Sequence, residues 1–172
     1  MPERDHQELL LRDDDFIVSK TDPKGKITYC NRVFMEFSGY QEDELLGQPH
    51  NIIRHPDMPR SVYRLMWNTL HEGKEFFGVV KNRTKHGQYY WTFANVTPSY
   101  DVDHKLMGYY SVRRCPKRST VDTMASIYRE MIDTEARHSS SRDAMDASYQ
   151  VLIDKIQSTG KSYEEYVISL EK

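Results

Sequence analysis

Between Gln48 and Pro59 the chain reads Gln-Pro-His-Asn-Ile-Ile-Arg-His-Pro-Asp-Met-Pro, with three prolines, two histidines, an arginine and an aspartate in twelve residues. So much proline suits neither a continuous helix nor a strand, so the segment reads as a shaped loop. Arg54 and His55 offer positive charge to an anion while Asp57 accepts or orients hydrogen bonds, because a planar guanidinium grips phosphate oxygens in a fork. The plain alternative is a connector in which Asp57 caps the positive end of the following helix. Other chemistry lacks its spacing. Gly160-Lys161-Ser162 resembles the end of a phosphate loop, but Lys155 stands where the first glycine of that motif must be. The chain has no Gly-x-Ser-x-Gly, His-Glu-x-x-His or Cys-x-x-Cys-His, and its seven histidines are scattered. Cys30 and Cys115 lie far apart with no partner motif, which supports neither a disulfide framework nor a zinc cluster and fits a reducing cytoplasm.

The elements around this loop follow from hydrophobic period and turn chemistry. Asp15 to Lys20 and Lys26 to Cys30 are β-prone runs joined by Thr21-Asp22-Pro23-Lys24-Gly25, a hairpin. Val33, Phe34 and Phe37 give a short helix ending at Ser38-Gly39, and Gln41 to Leu46 gives another turn of helix stopped by Gly47. A longer helix opens at Pro59 and places Val62, Tyr63, Met66, Trp67 and Leu70 on one face before Gly73. Three strands follow: Glu75 to Arg83, Gln88 to Tyr100 and Lys105 to Arg114. The order predicts an α+β domain over residues 15–115, a five-stranded antiparallel sheet with helices over one face. An acidic lead, residues 1–14, precedes it. A helical tail, residues 116–172, follows, with apolar stripes at Val121, Met124, Ala125, Tyr128, Met131, Ile132 and at Met145, Tyr149, Leu152, Ile156. Ser139-Ser140-Ser141 between the stripes is either a loop with a helix cap or a weak point in one long helix.

At 172 residues, 38% hydrophobic and 29% charged, the chain can bury one main core. No window approaches the ~18 apolar residues of a membrane span, and the polar N-terminus does not read as a signal peptide. Residues 1–15 hold six acids against two bases, whereas residues 16–115 hold fourteen bases against ten acids. That mild basicity falls short of a nucleic-acid footprint but suits one anionic ligand such as a diphosphate.

The chain resembles the PAS sensory domain, most closely the flavin-binding PAS domain at the N-terminus of bacterial aerotaxis receptors. The general features are Thr21-Asp22, Gly25-Lys26-Ile27, Asn31, Phe37-Ser38-Gly39-Tyr40 and Glu44-Leu45-Leu46-Gly47. The specific ones are Gly47-Gln48-Pro49-His50-Asn51, Arg54-His55-Pro56-Asp57-Met58-Pro59, Met66-Trp67, Val80-Lys81-Asn82-Arg83 and Tyr90-Trp91, in order and at family spacing. The resemblance implies non-covalently held FAD whose redox state reports on electron transport, in a sensor with no catalysis of its own. It implies that Arg54, His55 and Asp57 belong to the FAD pocket, that Asn31 and Asn82 lie in or beside it, and that Trp67 and Trp91 form aromatic walls. Tyr63 stands at a pocket position where the receptors carry Phe, and Leu65 where they carry Asp, so one polar contribution near the site is absent. The expected protein is cytoplasmic, acts on a separate signalling protein, and forms a homodimer through the helical tail or the N-terminal lead, unless the first apolar stripe of the tail is simply a lid burying one face of the same domain.

Two other readings fit the same fold. A haem-binding gas sensor needs an axial histidine, for which His55 or His71 would serve, and a ligand-free PAS module would use its core only for protein association. A blue-light sensor needs a cysteine a few residues past Gly47, where this chain has His50.

Overall fold

The computed structural model describes residues 7–172, so the first six residues of the acidic lead lie outside the described residues. Five strands, β1 (Ile17–Thr21), β2 (Ile27–Cys30), β3 (Phe76–Arg83), β4 (Tyr89–Tyr100) and β5 (Leu106–Arg114), form one antiparallel sheet in the order β2-β1-β5-β4-β3. The hairpin of β1 and β2 thus lands beside the last strand, and the long central connection carries the helices across one face.

That connection holds α1 (Arg32–Ser38), α2 (Glu42–Leu45), a 3-10 turn at His50–Ile53, and α3 (Arg60–His71). Asn31 starts α1 by accepting from the Phe34 amide at 3.0 Å, and Gly39 stops it in the left-handed region at φ 75°. Pro59 stands just before α3, where a fixed φ and a missing N–H cost nothing. The Gln48 to Pro59 segment folds as the predicted shaped loop, its only helical turn being 3-10.

Alternation of the strands divides the sheet into two faces. Asn82 pairs with Tyr90 and Lys81 with Trp91, so Asn82 and Tyr90 share the face under α3 while Lys81 and Trp91 share the other. The first face, with Val80, Ala94, Tyr109, Ser111 and Arg113, meets α3 across a cavity. Ile17, Ile27, Phe34, Leu45, Ile53 and Tyr90 close a second apolar cluster beneath α1 and α2.

The tail is three helices, α4 (Arg118–Ala136), α5 (Ser141–Gln157) and α6 (Tyr163–Leu170). The serine run is a loop with a cap: Ser140 precedes α5 and accepts from the Asp143 amide. Val121, Met124, Tyr128 and Met131 are buried in the same core as Val79, Trp91 and Phe93. The first stripe therefore lies as a lid on the sheet, because covering apolar strand residues removes it from water without a second copy. Of the lead, Glu8 runs parallel to the start of β4, Leu11 is buried, and Leu10 is exposed. Among the described residues no helix is long and apolar enough to cross a membrane.

Candidate functional site

A cavity of about 370 Å³ separates α3 from the sheet. Met66, Trp67 and Leu70 line its helical wall, and Val80, Ala94 and Val96 its floor. Trp67 stands edge-on to Tyr109, ring centroids 5.2 Å apart, and lies against Gly25 at the rim of the cavity. Gly25 takes φ 81° in the hairpin turn, and the ring of Trp67 lies 3.5 Å from where its Cβ would be. Exposed Lys24, Pro49 and Asn51 form the solvent end.

Part of the polar lining consists of donors without acceptors. Buried Arg54 Nε, Asn82 Nδ2, Arg113 Nε and Thr21 Oγ1 have no hydrogen-bond partner, and all four residues line the cavity. Leaving such groups dry and unpaired costs about 1–3 kcal/mol each, so their clustering marks a place built for an acceptor-rich occupant. The Arg54 guanidinium lies 3.6 Å over the Tyr63 ring, and its backbone bridges to Asn82. Burial raises the Tyr63 phenol to about 12, with Arg54 opposing the shift.

Arg113 is 3% exposed and, among the described residues, has no carboxylate partner. Its guanidinium donates to Ser19 Oγ at 2.6 Å and faces His50 Nε2 at 3.0 Å, while His50 Nε2 lies 2.9 Å from Ser19 Oγ. Since the guanidinium can only donate, Nε2 is the acceptor and the ring proton belongs on Nδ1. Burial and then the charge of Arg113 push His50 down to about 3, so the imidazole is neutral; its ring stacks on Phe34 with centroids 5.7 Å apart. Burial likewise lowers Arg113 to about 10, which still leaves it charged at neutral pH.

Of the residues singled out in the sequence, the cavity gathers Arg54, Tyr63, Trp67 and Asn82. Four others lie elsewhere. His55 turns outward, its ring edge-on to Tyr89 and its Nδ1 accepting from the Asp57 amide at 3.0 Å. Asp57 pairs with Lys81 at 2.7 Å on the far face; burial works to raise its pKa, but Lys81 and, less, His55 hold it below the ordinary carboxylate range. Asn31 bonds Val18, Phe34 and Phe16 backbone groups, which ties α1 to β1. Trp91 stacks on Tyr128 of the tail, centroids 6.4 Å apart, beyond the sheet from the cavity. The Arg54 to Pro59 run thus has two directions, with Arg54 toward the cavity and Asp57 latching the loop onto β3. Sequence reasoning passed over Arg113, which sits beside Arg114 at a strand end, and used His50 only as a residue occupying a cysteine position. Neither cysteine lines the cavity.

The PAS fold family model matches residues 27–113. The chain is 43% identical, over 70% of its length, to the aerotaxis receptor of Escherichia coli (strain K12), and 30% identical, over 56%, to a nitrogen fixation regulatory protein of Klebsiella pneumoniae. It spans 23% and 20% of those proteins. A light-oxygen-voltage domain studied with a flavin analogue superposes with a TM-score of 0.57 at 20% identity, covering 64% of this chain and 83% of that one, which speaks for the fold alone. With its sheet order, its helices over one face and a family model matching half its length, the chain belongs to the PAS fold family.

Proposed function

We propose that the chain is an FAD-binding redox-sensing module, cytoplasmic and without catalysis of its own, that passes its state to a separate signalling protein. One observation carries the reading: a cavity walled by Trp67, Met66 and the apolar residues of the sheet and edged by donors that lack acceptors. A flavin ring has that complement, apolar faces and a rim of carbonyl and imine acceptors. The similarity to an aerotaxis receptor supports the same reading.

Trp67, Met66 and Leu70 would hold the faces of the ring, and Asn82, Arg54 and Arg113 its polar rim. Bound there, the flavin supplies reversible uptake of electrons. The chain's own part is electrostatic, since the uncompensated charge of Arg113 favours whichever state of the occupant is more negative, in a site where burial strengthens the effect. Neutral His50 positions that guanidinium without cancelling its charge. The cavity lies near the lower end of the ~300–1,000 Å³ usual for ligand pockets, so it suits the ring system, and a dinucleotide would extend past Lys24 and Asn51.

The haem alternative loses its ligands: His55 and His71 do not line the cavity, and His50, which does, has its Nε2 engaged. Purified protein should show flavin absorption bands, and heating should release FAD rather than FMN. Arg54→Ala should forfeit about 1.5–3 kcal/mol of charge-assisted hydrogen bonding, roughly tenfold or more in affinity. A colourless protein that takes up no added FAD, or full FAD affinity in Arg54→Ala, refutes the assignment.

A further inference from the structure

Helix α3 is held from two sides. One side faces the cavity through Tyr63, Met66, Trp67 and Leu70. The other is gripped by the tail. Ser61 and Ser148 share a buried hydrogen bond of 2.7 Å between their hydroxyls. Arg64 donates to Asp146 at 2.6 Å and to the Met145 carbonyl at 3.3 Å, with its guanidinium over Tyr149. Arg60 donates to Ser141 Oγ at 2.9 Å and pairs with Glu135 at 3.4 Å. Most of these partners belong to the first half of α5, where the buried positions are the small Ala144 and Ser148; the large ones, Leu152 and Ile156, come later.

We propose that α5 is a regulatory clasp whose docking on α3 reports whether the cavity is filled. The helices on either side of it have anchors of their own on the sheet. In α4 the Tyr128 hydroxyl donates to the Val79 carbonyl at 2.6 Å. In α6 Tyr163 stacks on Phe76, and beyond its end Glu171 pairs with Arg114 at 2.7 Å. α5 packs on α4, α3 and α6, its Leu152 and Ile156 reaching the core from its second half, and is joined to its neighbours by the loops 137–140 and 158–162. Its grip on α3 is largely polar, and the Arg64–Asp146 pair is partly exposed, so this contact belongs to the low-stability end of the molecule. A hydroxyl pair buried at 2.7 Å tolerates little displacement, so a small lean of α3 toward an empty cavity breaks it.

The sign follows. An occupant supports α3 from the cavity side and holds it against α5, so filling tightens the clasp. By linkage, releasing the clasp weakens the occupant's binding by the same factor. The inference rests on the cavity being a ligand site, as proposed above, and its test separates the two.

Hydrogen exchange of the full chain, followed over residues 141–157 and 118–136, reads it directly. FAD should slow exchange in α5 about tenfold with little change in α4, and Arg64→Ala should speed α5, abolish its response to FAD and weaken FAD binding by the same factor. Ala94→Phe fills the cavity from β4 and should slow α5 with no ligand present; Leu70→Ala enlarges it and should speed α5. Protein that takes up no FAD but shows both mutational effects keeps the clasp and loses the flavin. Exchange in α5 that ignores FAD, cavity filling and cavity enlargement alike overturns the clasp, and if Ala94→Phe does not fold, unchanged exchange in Leu70→Ala does so.

Discussion

Replacing Arg113 by Met distinguishes a residue kept for a ligand from one kept for the fold, because the two roles move stability and affinity differently. Met has nearly the length of the aliphatic stem and fills the same space without charge. Burial lowers Arg113 to about 10, a penalty on the charged form of roughly 3 kcal/mol. Removing the charge relieves a penalty of that order. The substitution also removes two charge-assisted hydrogen bonds, to Ser19 and His50, worth about 1.5 kcal/mol each at the low end of their range because the two partners keep each other. Those partners are not orphaned, since Ser19 Oγ and His50 Nε2 are already 2.9 Å apart and retain each other. The two contributions nearly cancel and leave the ligand-free Arg113→Met chain within about 1 kcal/mol of the parent, as seen when buried ionic groups give way to apolar ones of similar volume.

Affinity, by contrast, falls. The Arg113 Nε, which has no acceptor in the chain, supplies an occupant with a charge-assisted hydrogen bond of about 1.5–3 kcal/mol, so without it FAD should bind roughly 10- to 150-fold more weakly. Urea unfolding of the flavin-stripped proteins gives the first quantity, and flavin titration followed by fluorescence gives the second. A ligand-free Arg113→Met that loses more than about 2 kcal/mol while keeping parental FAD affinity refutes the reasoning and makes Arg113 a structural residue.

Three further outcomes are expected. His50 titrates at about 3 folded against 6.5 when free, so between those values the unfolded chain holds a proton that the folded one lacks; stability is full above pH 6.5 and falls on acidification by up to about 1.4 kcal/mol per pH unit, and His50→Gln should flatten that limb of a pH series of unfolding curves. Tyr128→Phe gives up the 2.6 Å bond to the Val79 carbonyl and should lower the urea-derived stability by about 1–2 kcal/mol, whereas no change would mean that water satisfies that carbonyl. Gly108 takes φ 149°, and a Cβ there would stand 1.8 Å from the Thr21 carbonyl oxygen, so Gly108→Ala should part β1 from β5 at a cost of about 3 kcal/mol or more, read as a fall in the unfolding midpoint.

Why the strands and helices were readable but half of the site was not has a physical explanation. Element identity is carried by local period and punctuation. Pro59 before α3, Gly39 and Gly73 after their helices, and the Asp22-Pro23-Lys24-Gly25 turn act through backbone conformation, which needs no knowledge of the partner. The loop from Gln48 to Pro59 declared itself in the same way, through its prolines. What a strand residue faces is different, because it depends on register. Tyr90 and Trp91 are adjacent and both aromatic, and so are Arg113 and Arg114 adjacent and both cationic. A shift of one residue exchanges each pair between the inner face of the sheet and the face covered by the tail.

The register that settles those pairs is fixed by polar groups whose partners are remote in sequence. Asp57 reaches Lys81, Arg54 bridges to Asn82, and Asn31 reaches Val18, so residues that looked like ligand contacts lock the loop and the hairpin onto β3 and β1. With the loop latched from the outside by Asp57, Arg54 faces the cavity. With Lys81 and Trp91 on the outer face, Asn82 and Tyr90 are on the inner one. The motif therefore serves the site twice, through one residue that lines the cavity and through another that fixes the strand supplying the rest of its wall. Asp57→Asn should accordingly weaken FAD binding although Asp57 does not line the cavity, and the loss should come with faster hydrogen exchange in residues 54–59. Weaker binding with that loop unchanged would instead place the Asp57 carboxylate in direct contact with the ligand.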